Sequence, residues 1–71
     1  MAKTLTVLQG AVKKNVIVGL KGKREYRGVL EGVDMYMNVV LKNAEEYYEG
    51  SLVRKLGQVI VRGDNVIYIS P

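Results

Sequence analysis

Cysteine and histidine are both missing from this 71-residue chain. Without thiols there is neither a disulfide nor a thiolate metal site, and without imidazole the commonest general base and metal ligand are gone. Proline occurs once, as Pro71. No low-complexity stretch or solenoid-length repeat breaks the sequence, so residues 1–71 read as one domain without a long C-terminal tail. No apolar run approaches the roughly 18 residues that span a bilayer. Met1-Ala2-Lys3-Thr4-Leu5 lacks the apolar core of a signal peptide, which predicts a cytoplasmic protein. The segment Gly19-Leu20-Lys21-Gly22-Lys23 lacks the spacing and ending of a nucleotide-binding loop and reads as a hairpin turn. The seven acidic residues show no metal-ligand spacing, and no Ser or Lys stands beside a recognisable base. These absences argue against an enzyme, a metal, a cofactor, a small-molecule substrate or a membrane protein.

What is present is a 48% hydrophobic, 25% charged composition, that of a soluble globular protein. The formal charge is +4, with an isoelectric point near 9.5, which favours polyanions such as nucleic acid. A domain this small buries a modest share of its surface and often leans on disulfides, metals or partner subunits. With the first two absent, oligomerisation remains.

Leu5, Leu8 and Val12 fall at helical spacing behind candidate caps Thr4 and Thr6, predicting a short helix that Gly10 weakens. From Asn15 the period changes to two. Val16, Val18 and Leu20 share one face of a first strand, and Tyr26, Gly28 and Leu30 one face of a second, where Gly28 permits a bend or close approach. A third strand carries Met37, Val39 and Leu41 on one face and Asn38, Val40 and Lys42 on the other. A strand, a turn at Glu49-Gly50-Ser51 and a long bent strand ending in Val59-Ile60-Val61 follow. Val66-Ile67-Tyr68-Ile69 is apolar on both faces, as in a strand buried on both sides, with a partner chain as one cover. The expected fold is all-β: a short N-terminal helix, then five strands in a strongly bent antiparallel small barrel.

Two segments carry the chemistry. In Asp34-Met35-Tyr36-Met37-Asn38, at a loop-to-strand junction, an aromatic ring and a carboxamide stand two residues apart and so on the same side. Tyr36 can stack on an unpaired base, and the Asn38 amide offers one donor and one acceptor to the base edge, which, if fixed in one orientation, match the N–H and adjacent carbonyl of uracil and not cytosine. The alternative is that Tyr36 caps the core and Asn38 satisfies a turn. In Arg62-Gly63-Asp64-Asn65 a planar cation precedes a turn whose glycine can take a positive φ. If the two segments adjoin, Tyr36 and Arg62 sandwich a base that Asn38 reads. Asp34 and Asp64 could form a carboxylate pair, although accepting hydrogen bonds from their own turns explains them better.

Taken together, residues 26–41 resemble the first motif of the Sm-like (LSm) proteins, in particular the short archaeal members, and residues 61–66 resemble the second. The resemblance implies the Sm fold, a small SH3-like barrel, and a homo-oligomeric ring, usually of seven subunits. In such rings the fourth strand of one subunit pairs with the fifth of its neighbour, covering exposed edges. Seven chains of +4 would carry about +28, a strong and salt-dependent attraction for RNA. The implied function is binding of single-stranded uridine-rich RNA, one nucleotide per subunit near the central pore, in RNA processing or metabolism with protein partners from that process. The implied pocket is Tyr36 as the stack, Asn38 as base reader, Arg62 on the opposite face and Asp34 and Asp64 in support. Many archaeal members have histidine where this chain has Tyr36, a change that keeps the stacking plane and loses the ring nitrogens. A different class of reading is a small barrel that serves as a scaffold or protein-interaction module. The outer basic residues Lys3, Lys13, Lys14, Lys21, Lys23 and Arg24 read as solvated surface, with a second RNA path as the alternative.

Overall fold

The computed structural model describes residues 4–70. A helix, α1 (Thr4–Gln9), leads into six strands: β1 (Asn15–Leu20), β2 (Arg24–Val33), β3 (Val39–Tyr48), β4 (Ser51–Lys55), β5 (Val59–Val61) and β6 (Val66–Ser70), with a single 3-10 turn, Gly63–Asn65, before β6. The helix is shorter than its apolar spacing predicts. It stops before Gly10, which leaves Val12 in the following turn and Thr6 inside the helix instead of at its cap. Leu8 is buried. Lys3 and Pro71 lie outside the described residues, whereas Lys13, Lys14, Lys21, Lys23 and Arg24 are exposed.

All strand pairings are antiparallel, in the order β4-β3-β2-β1-β6, with β5 also on β3. The long β2–β3 ladder bends twice, at register shifts between Arg27 and Val29 and between Leu30 and Gly32. The first bend contains Gly28, where an added Cβ would sit 2.9 Å from the Lys42 carbonyl oxygen and 3.1 Å from the Ala44 Cα. Only hydrogen fits there, which is the close approach the sequence predicts. β4 and β5 pair with opposite ends of β3. They are two halves of the expected long bent strand, interrupted at Leu56–Gln58, while the expected third strand and the strand after it run on as one β3.

The core is the set of alternating inward positions on these bent strands: Val16, Val18, Leu30, Val39, Leu41, Ala44 and Val61, joined by Ala11. Leu30 is fully buried. Leu30→Ala should therefore cost roughly 2 to 5 kcal/mol, the usual range for a leucine truncated in a packed core. Urea denaturation is the check, and a midpoint unchanged from the parent would remove Leu30 from the core.

Two strand expectations need correction. Met37 and Asn38 precede β3, and Met37 has a φ of 65°, so period-two alternation does not reach Tyr36. The other concerns β6, which is not buried on both faces within one chain. Val66 and Ile69 pack on the core, while Ile67 is 64% and Tyr68 51% exposed.

Candidate nucleic-acid interface

The β2–β3 ladder ends on the pair Val33 and Val39, and the five residues between them form a turn organised by one carboxylate. Asp34 Oδ1 accepts from the backbone N–H of Tyr36 and of Asn38, each at 2.9 Å, and Oδ2 accepts from the Asn38 side-chain amide at 3.0 Å. Main-chain bonds from Met37 N to Asp34 O and from Asp34 N to Asn38 O, both 3.1 Å, close it. The Asn38 amide first, and then its backbone N–H, hold the Asp34 carboxyl below the ordinary value of 3.8. The turn reading of Asp34 is thus correct, and it also orients Asn38.

The second segment arrives through β5. Val61 pairs with Val39, so the next residues along each strand, Arg62 and Asn38, emerge side by side at the end of the ladder. The Gly63 backbone N–H donates to Asn38 Oδ1 at 2.8 Å. Gly63 does not have a positive φ, contrary to the sequence expectation; glycines with positive φ are Gly22 and Gly50. Its requirement is steric, because a Cβ there would lie 2.1 Å from the Tyr36 carbonyl oxygen and 2.9 Å from the Met37 carbonyl carbon. Asp64 Oδ2 lies 3.4 Å from Arg62 Nη2, so the second carboxylate attends the arginine and does not pair with Asp34.

The chemical result is a carboxamide clamped from both sides. An amide oxygen accepts two hydrogen bonds and its nitrogen donates two. Gly63 takes one acceptor position and Asp34 one donor hydrogen, which leaves Asn38 one of each, in an orientation it cannot reverse without losing both partners. Asn38 lies in the wall of a recess of about 520 Å³, with Asp34, Val40, Ile60 and Arg62. Tyr36 is 74% exposed, which disposes of the core-cap reading, and Arg62 extends into solvent. Both planar groups are free to meet a ligand. Val40 and the exposed Ile60, a cross-strand pair, were missed in the sequence because their place depends on the β3–β5 register. Among the described residues no group of histidine, cysteine, aspartate or glutamate could hold a metal ion, and no helix is long and apolar enough to cross a membrane.

Comparison with known proteins agrees with this architecture. The sequence matches the LSM domain family over residues 6–71. The chain belongs to the Sm-like family. An Sm-like protein of Methanococcoides burtonii is 55% identical over 69 residues, covering 97% of this chain and 96% of that one. Among solved structures, a Pyrococcus abyssii Sm protein in complex with a uridine heptamer superposes with a TM-score of 0.94 at 43% identity over 99% of each chain. A heptameric archaeal Sm protein gives a TM-score of 0.85 at 41% identity, covering 93% of this chain and 96% of that one. The bent Sm barrel, helix first, is therefore the fold of this LSm chain, and the clamped Asn38 turn lies at the end of its β2–β3 ladder.

Proposed function

We propose that this LSm chain assembles into a homo-oligomeric ring, seven-membered like its heptameric relative, and binds single-stranded uridine-rich RNA around the pore, one nucleotide per subunit. The 71 residues act as one Sm unit, in the cytoplasm, and the role is binding in RNA metabolism, not catalysis. The observation that carries the reading is the doubly clamped Asn38 amide, whose remaining donor and acceptor match the uracil edge. In this pocket Tyr36 stacks on one face of the base and Arg62 covers the other. The relative solved with a uridine heptamer supports the choice of ligand.

Ring formation is supported by what one chain leaves uncovered. β4 and β6 end the sheet order, and open edges invite pairing with another chain. Leu52 and Val53 of β4 and Ile67 and Tyr68 of β6 are exposed apolar residues on those edges. A groove of about 480 Å³ between α1 and β6 is lined by Val7, Leu8, Ile67 and Tyr68, with Met37 and Gly63 at one end. Pairing β4 of one subunit with β6 of the next covers both edges, and the repeated contact closes a ring.

Titration of labelled U-rich and C-rich oligomers at fixed salt tests the pocket, with clear preference for uridine as the expected result. Equal affinities would remove Asn38 as base reader. Tyr36→Ala should cost roughly 1 to 3 kcal/mol per stacked base, and unchanged binding would take Tyr36 out of the pocket.

A further inference from the structure

At the opposite end of the β2–β3 ladder one carboxylate is buried. Glu46 is 4% exposed, and its two oxygens meet arginines from different strands. Arg24 of β2 engages Oε2, and Arg54 of β4 places Nε 3.1 Å from Oε1. The register explains the convergence. Arg24 stands opposite Tyr48, and Arg54 opposite Glu46, so all four side chains share one face of the sheet.

One cation suffices to neutralise a buried carboxylate; this one has two. A guanidinium carries five N–H donors, and each arginine brings a single nitrogen to Glu46. Among the described residues neither has a second carboxylate within ion-pair distance. Within one chain both side chains are open to solvent, at 51% and 61% exposure, Arg54 lying on the β4 edge that ring assembly would pair with β6 of the next subunit. The Arg24 guanidinium lies 5.7 Å from the centre of the Tyr48 ring, itself partly exposed. Neighbouring Lys23 is balanced by Glu49, so the cluster of Arg24, Arg54 and Glu46 keeps one net positive charge.

We propose that Arg24, Arg54 and Tyr48 form a second RNA contact, in which the paired guanidiniums take a backbone phosphodiester and Tyr48 stacks on an adjacent base. Forked donors held in place by a buried acid are preorganised for phosphate. Such contacts position a strand without reading its sequence. The site is separate from the Asn38 pocket, since β2 runs from Arg24 to Val33, roughly 30 Å of extended strand before its bends. Glu46 is a positioning residue and does not touch RNA. The inference rests on the RNA-binding reading above and extends it to RNA outside the pore.

The test compares the parent ring with an Arg24→Gln/Arg54→Gln double variant, each shown by native mass to be assembled, using two probes across a salt series. One probe is a uridine heptamer and the other a uridine-free oligomer of about 20 nucleotides. For the long oligomer the double variant should lose about tenfold in affinity, and its salt slope should shallow by about 1.4, two phosphate contacts' worth for single-stranded RNA. Uridine heptamer affinity should stay within twofold. Arg24→Lys/Arg54→Lys should restore much of the salt slope. Parent-like binding of the long oligomer overturns the proposal, as does an equal loss for both probes. Failure of the parent to bind the heptamer refutes the pore reading instead. If the double variant does not assemble, Tyr48→Ala, which leaves the Glu46 ion pairs intact, carries the test: a severalfold loss on the long oligomer alone supports the site, and no loss overturns it.

Discussion

Gly63→Ala is expected to remove measurable oligouridine binding while leaving a folded but less stable chain. The added methyl would fall 2.1 Å from the Tyr36 carbonyl oxygen, a backbone atom that cannot rotate away, so one of the two binding turns must retreat. Overpacking of this kind costs roughly 1 to 3 kcal/mol. The larger effect is on RNA, because retreat breaks the 2.8 Å bond from the Gly63 N–H to Asn38, separates Arg62 from Tyr36, and does so in every subunit. Losses repeated around a ring compound, since each pocket depends on the effective concentration supplied by its neighbours. Fluorescence anisotropy with a uridine heptamer, beside a thermal melt, measures both effects. A variant that melts lower yet binds as the parent would show that the two segments do not act as one site.

Asp34→Asn is expected to abolish discrimination between uridine and cytidine while retaining part of the affinity. An asparagine there can still accept from the backbone N–H of Tyr36 and Asn38, so the turn survives. It then faces the Asn38 amide nitrogen with a nitrogen of its own, donor against donor, and half of the clamp is gone. A preserved ratio of uridine to cytidine affinity would mean that Gly63 alone orients Asn38. Acid should produce the same change in the parent. The ionised Asp34 carboxylate is favoured in the folded turn, so its contribution is complete above the unfolded value near 3.8 and disappears only as pH falls through the lower folded one. With no histidine in the chain, selectivity should be flat between about pH 5 and 8. A transition within that interval would contradict this assignment.

The legible parts of the fold were those set by short-range pattern. Alternation in residues 15–20 and 24–33 placed β1 and β2, and Gly28 announced the crossing that it makes. The turn at residues 34–38 was legible as a polar cluster and misread as the start of a strand, because Met37 looks like the next inward position after Val39 and Leu41. The left-handed backbone at Met37 is imposed by hydrogen bonds to Asp34, and apolar periodicity carries no record of them. Gly63 was picked out for the wrong reason: a glycine's sequence context suggests a free φ, whereas a close approach to Tyr36 depends on a pairing between Val39 and Val61 that only the folded sheet supplies. β6 was legible as two-sided precisely where one chain cannot cover it. Its exposed Ile67 and Tyr68 are what the proposed ring would cover.

A ring that carries one clamped amide per subunit should show itself in the length dependence of oligouridine binding. Affinity of the parent protein for oligomers of increasing length should rise steeply until every pocket is filled, then level off at a length equal to the subunit number found by native mass, with oligocytidines weaker throughout. An affinity that ignores base identity, or that climbs steadily past that length with no plateau, would contradict it.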